Sequence, residues 1–329
     1  MSKQTDPAIH PKEVELPLPA TGTWLASHYL LDGKAQDALK LAVACGRPLL
    51  VRGLPGTGKS DLARAAAEFL KREFIYEVVT ARTEPQDLLW HFDAIARLAD
   101  AQAQAKSCSP DSYVRPGSMW WALNRDSAQV QQAKYDKRAA ECLAEQKEEP
   151  QNTPADKQKM GTVLLLDEID KADSELPNSL LEVLANTGFK KTWSTSTVKP
   201  DGRQKPLIII TTNEDRELPP AFVRRCLVLN IAAAADFSRW IKKRARVHFH
   251  DPEQADNKHD LPDLTAAVLD AAAKQLMQDR EEHGNDTPKP GLAEYLDLLR
   301  GLYHMAAGDE AQQLALLERV SQFSYKKHP

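Results

Sequence analysis

The stretch LLVRGLPGTGKSDLARAAAEFL, residues 49 to 70, decides the fold. A short apolar run, Pro48 to Val51, opens into a loop with glycines at 53, 56 and 58. Lys59, Ser60 and an amphipathic helical segment follow. Gly53, Gly58, Lys59 and Ser60 satisfy the spacing G-x-x-x-x-G-K-S/T. Glycines let such a loop wrap until its amides point inward at an anion. The helix after it adds the partial positive charge of its N-terminus. The structural alternative is a tight glycine turn with a capping serine. Strand, spacing and helix together favour a phosphate cradle, with Gly53, Pro55, Gly56, Thr57, Gly58, Lys59, Ser60 and Asp61 as the candidate nucleotide-binding residues. Lys59 would neutralise the terminal phosphates, and Ser60 would be a ligand to Mg²⁺.

Other apolar runs occur at Val163 to Leu166, Leu207 to Ile210 and Cys226 to Ile231, with a more mixed one at Phe74 to Val79. Short continuous runs separated by helical segments predict parallel strands buried on both faces. The class is therefore α/β. Residues 23 to 46 read as helical, and residues 1 to about 22, rich in proline and polar side chains, read as an extended arm. The long gap between the Phe74 and Val163 runs exceeds one crossover, so insertions are expected at about 82–106 and 124–159. The first carries Leu88, Leu89, Phe92, Ile95 and Leu98 at helical spacing. The second reads as a solvated helix followed by a mobile EEPQNTPADKQK loop. After Ile231 only helical patterns remain, which predicts a core over 23–231 and a helical subdomain over 232–329.

Three polar features follow the apolar runs. VLLLDEIDKAD, 163 to 173, ends a strand in acids. Asp167 can hold Mg²⁺ and Glu168 can accept a proton from an attacking water. Asp170 and Asp173 read as caps or ring contacts. LIIITTNEDRELPPAFVRRC places Asn213 at another strand end, where it would orient water or contact the γ-phosphate. Arg224 and Arg225 close a short helix. They serve either its C-terminal carbonyls or the neighbouring subunit's phosphate, with Arg225 favoured for the second role. GFKKTWSTSTVKPDGRQKPL reads as a hairpin around a KPDG turn, carrying Lys190, Lys191, Lys199, Arg203 and Lys205. It is either a solvated hairpin or a grip on a polymer or acidic partner.

Bulk composition narrows the partners. The chain has 329 residues, 42% of them hydrophobic and 27% charged, which fits a soluble globular protein. No apolar run approaches the ~18 residues of a membrane span, and the first residues lack a secretory h-region. Cys45, Cys108, Cys142 and Cys226 form no CxxC, so a reducing cytoplasm without disulfides or bound metal clusters is expected. A net charge of −4 exerts no global pull on nucleic acid, which stays possible but not favoured.

The segments GLPGTGKS, LLLDEIDKAD, NSLLEVLANTGF and IIITTNEDRELPPAFVRRC, with the helical tail, together resemble an AAA+ ATPase of the P-loop NTPase superfamily. The MoxR type is the most similar branch, on ELPPAFVRRC, RPLLVRG and the first insertion. The resemblance spans roughly residues 25 to 310. It implies a five-stranded parallel sheet between helices, a small C-terminal helical lid, and a homo-oligomeric, usually hexameric, ring with ATP and Mg²⁺ at subunit seams. It also implies that ATP turnover remodels partner proteins, often ones with a von Willebrand A domain, as in chains of bacterial conflict systems. Where the family carries a lid arginine, this chain offers Lys289. The alternatives to a protein-remodelling motor are a nucleotide-driven DNA motor or restriction-type subunit, and an ATP-gated scaffold with little turnover.

Overall fold

The computed structural model describes residues 10–325 apart from 104–108, 143–156, 158–159, 187, 194–195, 201, 203–204, 232–235, 253–260 and 283–288. Strands β1 (Val14–Leu18) and β2 (Ser27–Leu31) pair antiparallel, Val14 opposite Leu31. Helix α1 (Gly33–Cys45) precedes β3 (Leu49–Arg52), and α2 (Lys59–Leu70) precedes β4 (Glu73–Val78). An excursion follows: β5 (Trp90–Phe92), α3 (Ala94–Gln102), β6 (Val114–Pro116), α4 (Ser118–Leu123) and α5 (Arg125–Cys142). The chain continues through β7 (Thr162–Asp167), α6 (Glu175–Asn186), β8 (Phe189–Lys190) and β9 (Thr197–Val198). Then come β10 (Leu207–Thr212), α7 (Pro220–Arg225) and β11 (Leu227–Asn230). Four helices close it: α8 (Phe237–Ala245), α9 (Ala266–Glu282), α10 (Leu292–Met305) and α11 (Glu310–Tyr325).

The chain divides into two compact units. One contains Lys34–Arg52 and Ala66–Leu229. Its centre is a five-stranded sheet in the order β11-β3-β10-β7-β4, the α/β class expected. β3 runs parallel to β10, β10 to β7, and β7 to β4. The reason lies in the side chains. β7 (TVLLLD) and β10 (LIIITT) are buried at every position, and β3 at all but its last. Each fully buried Leu, Ile or Val contributes ~1.5–3 kcal/mol, so these three strands take the middle. The more mixed β4 and β11 lie at the edges, where one side needs no cover. Leu50, Leu164, Leu166 and Ile210 pack on one side with Met119, Trp120 and Phe222.

The excursion differs from its sequence reading. Residues 88–98 do not form one helix. Trp90 pairs with Pro116 and Phe92 with Val114, so this part is a strand. The helix restarts only at Ala94, where the Asp93 carboxylate accepts the Ala96 amide at 2.9 Å. Leu88 is buried, whereas Ile95 and Leu98 face outward. The partner strand lies about twenty residues downstream, beyond any local period. Nor is α5 solvated all round. Ala128, Gln131 and Arg138 are buried on one face. Gln131 donates to the Asp111 and Val114 carbonyls, and Arg138 lies over the rings of Tyr113 and Tyr135. The EEPQNTPADKQK segment lies outside the described residues except Lys157, which bridges Glu68 at 2.6 Å.

The basic hairpin exists, but its turn is elsewhere. β8 and β9 pair antiparallel and close over 191–196, with the Lys191 amide bonded to the Ser196 carbonyl at 3.2 Å. KPDG follows the second strand instead of joining the two. Gly202 there has φ +85°, while Arg203 lies outside the described residues.

The other unit contains Pro11–Gly33, Gly53–Ala65 and Asn230–Pro329. Here β2 corrects the helix expected from residue 23. Leu31 and Tyr29 are buried while Leu30 is not, a period of two, and the helix begins only at Gly33. The segment read as an extended arm contains β1, tied into this hairpin. Helices α8 to α11 share a core of Ile241, Val268, Leu276, Tyr295, Leu299 and Leu302. The buried Tyr295 hydroxyl donates to the Leu269 carbonyl at 2.8 Å. α11 closes the described part of this helical region. It buries Gln313, Leu317, Ser321 and Tyr325, every fourth residue, and two of these are polar. No helix among the described residues is long and apolar enough to cross a membrane.

Candidate active site

The phosphate loop leaves the carboxyl end of β3 and enters α2 at Lys59. Two of its glycines are required by backbone shape. Gly56 has φ +72° and Gly58 φ +84°, the left-handed region that costs an L-residue ~1–2 kcal/mol. Space is short as well. A Cβ on Gly53 would stand 2.8 Å from the Ile231 carbonyl, and one on Gly56 would stand 2.8 Å from the Ala293 Cβ. Lys59 is buried, and its ammonium donates to the carbonyls of Gly53 at 2.7 Å and Leu54 at 2.9 Å. Thr57 Oγ1 donates to the Leu54 carbonyl at 2.8 Å, which braces the same turn. Ser60 lies in the first turn of α2.

Asp61 lies in the first turn of α2. Its carboxylate pairs with Arg64 at 2.9 Å. The Arg64 guanidinium also donates to the Pro19 and Leu25 carbonyls and lies over the Trp24 ring, so it fastens the β1–β2 connection to α2. Pro55 comes near the start of α10: a Cβ on Gly291 would be 3.9 Å from the Pro55 carbonyl oxygen. Lys289, two residues earlier, is exposed.

At the carboxyl ends of β7 and β10 the polar groups are mutually bonded. The register sets Ile210 beside Leu166, so Thr211 falls beside Asp167. Thr211 Oγ1 donates to Asp167 Oδ1 at 2.5 Å and accepts the Glu168 amide at 2.8 Å. Glu168 sits in the left-handed region, φ 59° and ψ 49°. A non-glycine residue there costs ~1–3 kcal/mol and persists only when its surroundings impose it. Two side chains reach its carboxylate. Asn213 Nδ2 approaches Oε1 at 3.5 Å, and Lys171 bonds Oε2, a contact that holds the lysine's proton above its ordinary range. Asp170 is buried, and its Oδ2 accepts the amides of Asn213 at 3.1 Å and Asp215 at 2.9 Å. It therefore shapes the turn that presents Asn213. Asp173 is exposed and faces Arg216 at 3.5 Å.

These acids, the loop glycines and the arginine pair fall inside one stretch of known type. The family described as AAA domain (dynein-related subfamily) matches residues 48–226. The chain belongs to this AAA family. No curated protein sequence matches it. Among solved structures, this AAA chain is similar to the Thermotoga maritima RuvB Holliday junction branch migration motor, with 14% identity and TM-score 0.44, covering 87% of this chain and 67% of that one. Two single-substitution variants of that protein give 15% identity with TM-score 0.43, and 14% with 0.41. They cover 87% of this chain, and 68% and 67% of theirs.

Within the AAA domain, Arg224 and Arg225 occupy the last turn of α7 and are exposed. Among the described residues neither guanidinium has a carboxylate partner. In the basic hairpin region Lys199 and Lys205 are exposed. Lys190 is exposed, but Lys191 lies over the Trp120 ring at 4.5 Å, and burial lowers its pKa. The carbonyls of Lys199 and Lys205 accept from Asn124 and Arg72. Thr211 and Lys171 were missed by sequence reasoning. Thr211 carried a partial signal, a hydroxyl one step past the apolar run Leu207 to Ile210, but that its strand pairs with the acid-ended one is settled only by the sheet order. Lys171 had none beyond its i,i+3 spacing from Glu168.

Proposed function

We propose that this AAA domain binds Mg²⁺-ATP, hydrolyses it in a homo-oligomeric ring of hexameric type, and uses the cycle to remodel a partner protein in the MoxR manner. A partner with a von Willebrand A domain and a role in a bacterial conflict system belong to the same proposal. One observation carries it: the ends of β7 and β10 form a single hydrogen-bonded set, Thr211 with Asp167 and Asn213 with Glu168. β10 lies in the sheet between β7 and β3, the strand that opens into the phosphate loop.

The residues fit the group. The loop is crowded enough that a Cβ at Gly53 or Gly56 would collide, and its lysine is already folded over it. Bound Mg²⁺-ATP would supply the phosphoanhydride and a cation that draws charge from its oxygens. Lys59 and the loop amides hold phosphate oxygens, while Ser60 and Asp167 are the oxygen donors for the cation. Thr211 keeps Asp167 oriented. Glu168 takes a proton from water, and Asn213 orients that water beside the carboxylate it already approaches. Arg225, with Arg224 beside it, reaches the neighbouring protomer's phosphates, a contribution of ~10³–10⁵ in rate for residues of this kind. The 232–329 helical region acts as the lid, with Lys289 as its cationic sensor.

Glu168→Gln tests this reading. It is expected to retain ATP binding, measured by nucleotide fluorescence, and to lose steady-state phosphate release. Wild-type turnover in that variant overturns the assignment. Capture of proteins by the ATP-loaded variant then identifies the partner. Turnover that rises with DNA and falls steeply with salt would replace the protein-remodelling reading with the DNA-motor one.

A further inference from the structure

Arg47 lies in the turn between α1 and β3, far in sequence from the arginine pair, yet its guanidinium is bonded to the backbone that carries them. Nε donates to the Arg225 carbonyl at 3.1 Å, and Nη2 donates to those of Cys226, at 3.2 Å, and Arg224. These are carbonyls at the C-terminal end of α7, which intrahelical amides leave open. α7 has only six residues, too few to hold its own shape. The main chain reinforces the junction, because the Leu227 amide donates to the Pro48 carbonyl at 2.8 Å.

A planar fork with fixed donor directions can satisfy successive carbonyls at once, which a point charge does less well. A cation at a helix C-terminus is favourable. Yet this one stands beside two further arginines, so like-charge repulsion opposes the arrangement. Capping alone would not call for three guanidiniums in one turn. The cost makes sense if the outer two must stay exposed and uncommitted while the backbone beneath them is held still.

We infer that Arg47 is a positioning residue for the trans-acting guanidinium. It fixes the backbone from which Arg225 extends and ties it to the start of β3, the strand that opens into the same protomer's phosphate loop. A displacement of that strand is thereby carried to the group donated to the neighbour. This inference rests on the proposed role of Arg225, and the experiment separates the two.

Wild type, Arg225→Ala, Arg47→Ala and Arg47→Lys are compared for kcat, KM and nucleotide binding. Each variant is then mixed with Glu168→Gln subunits, whose own arginines are intact. Arg47→Ala is expected to lose about 10²-fold in kcat, the scale of an ångström-size misplacement, with KM and binding little changed. Arg47→Lys recovers part of that loss. Mixed with Glu168→Gln, Arg47→Ala regains turnover, because its intact pocket now meets a well-held neighbouring arginine. A merely structural role predicts no such rescue. Wild-type kcat in Arg47→Ala beside a slow Arg225→Ala overturns the positioning role alone, as does absence of rescue at every ratio. Wild-type kcat in Arg225→Ala overturns the trans-acting reading itself. If Arg47→Ala does not fold, Arg47→Lys decides: reduced kcat at unchanged KM supports the role, and unchanged kcat overturns it.

Discussion

Thr211 shows how much one hydroxyl organises. It bonds Asp167 and receives the Glu168 amide, so it sets the orientation of one acid and the backbone of the next. Thr211→Val preserves shape and removes both bonds. An amide left without its acceptor costs ~1–3 kcal/mol. We expect a melting temperature lowered to match and a clear fall in phosphate release at limiting Mg²⁺. An unchanged melting temperature together with an unchanged rate would refute this role. At this scale the placement of Asp167 and Asn213 at strand ends was legible, because an apolar run that stops at a polar residue marks where a strand leaves the core. Thr211 was legible only in hindsight, since its importance depends on which strand pairs with β7. The Asp61 carboxylate pairs with Arg64 three residues away, but what anchors Arg64 in turn is the connection between β1 and β2, which no local spacing announces.

The phosphate loop is an element whose sequence states its own geometry. Gly56→Ala would combine a left-handed φ with a Cβ 2.8 Å from the Ala293 Cβ. Gly202 also has a positive φ, +85°, but nothing lies within 4 Å of its added Cβ. Both alanine variants should carry the left-handed penalty of ~1–2 kcal/mol. Only Gly56→Ala should lose affinity for a fluorescent ATP analogue in titration. Equal affinities for the two variants would show that crowding at the loop does not matter. Elements defined by distant pairing were harder to read. β5 looked helical because Leu88, Phe92 and Ile95 share a helical period, and only its register with β6 makes it a strand. α11 hid because polar Gln313 and Ser321 lie on its buried face.

Across the whole chain, the loop, the β1–β2 hairpin and the last helices fall in one compact unit although they are scattered in sequence. His248 reports on its stability. Burial, with the nearby charges of Arg300 and His28, lowers its pKa from 6.5 to about 4. The folded side chain is therefore neutral where the unfolded one takes up a proton. Stability is complete above about pH 6.5 and falls as the pH drops from there to about 4. Thermal unfolding across that window should show the decline, and His248→Gln should flatten it. An identical pH profile in the variant would remove His248 as the cause.

Local chemistry sufficed for the α/β class, the five strands of the central sheet, the phosphate loop and the acid-ended strand. In each of these, neighbouring residues carry the physical demand, whether an uninterrupted apolar surface or glycines at fixed spacing. Tertiary structure alone decided the strand character of β2 and β5, the true turn of the basic hairpin, and the hold of Arg47 on the arginine pair. For β5 and Arg47 the hydrogen-bond partners lie tens to hundreds of residues away, and no local pattern specifies which distant carbonyl or strand edge will be there to receive them; for β2 and the hairpin the partner strand is near, but its register is set by which side chains the core buries.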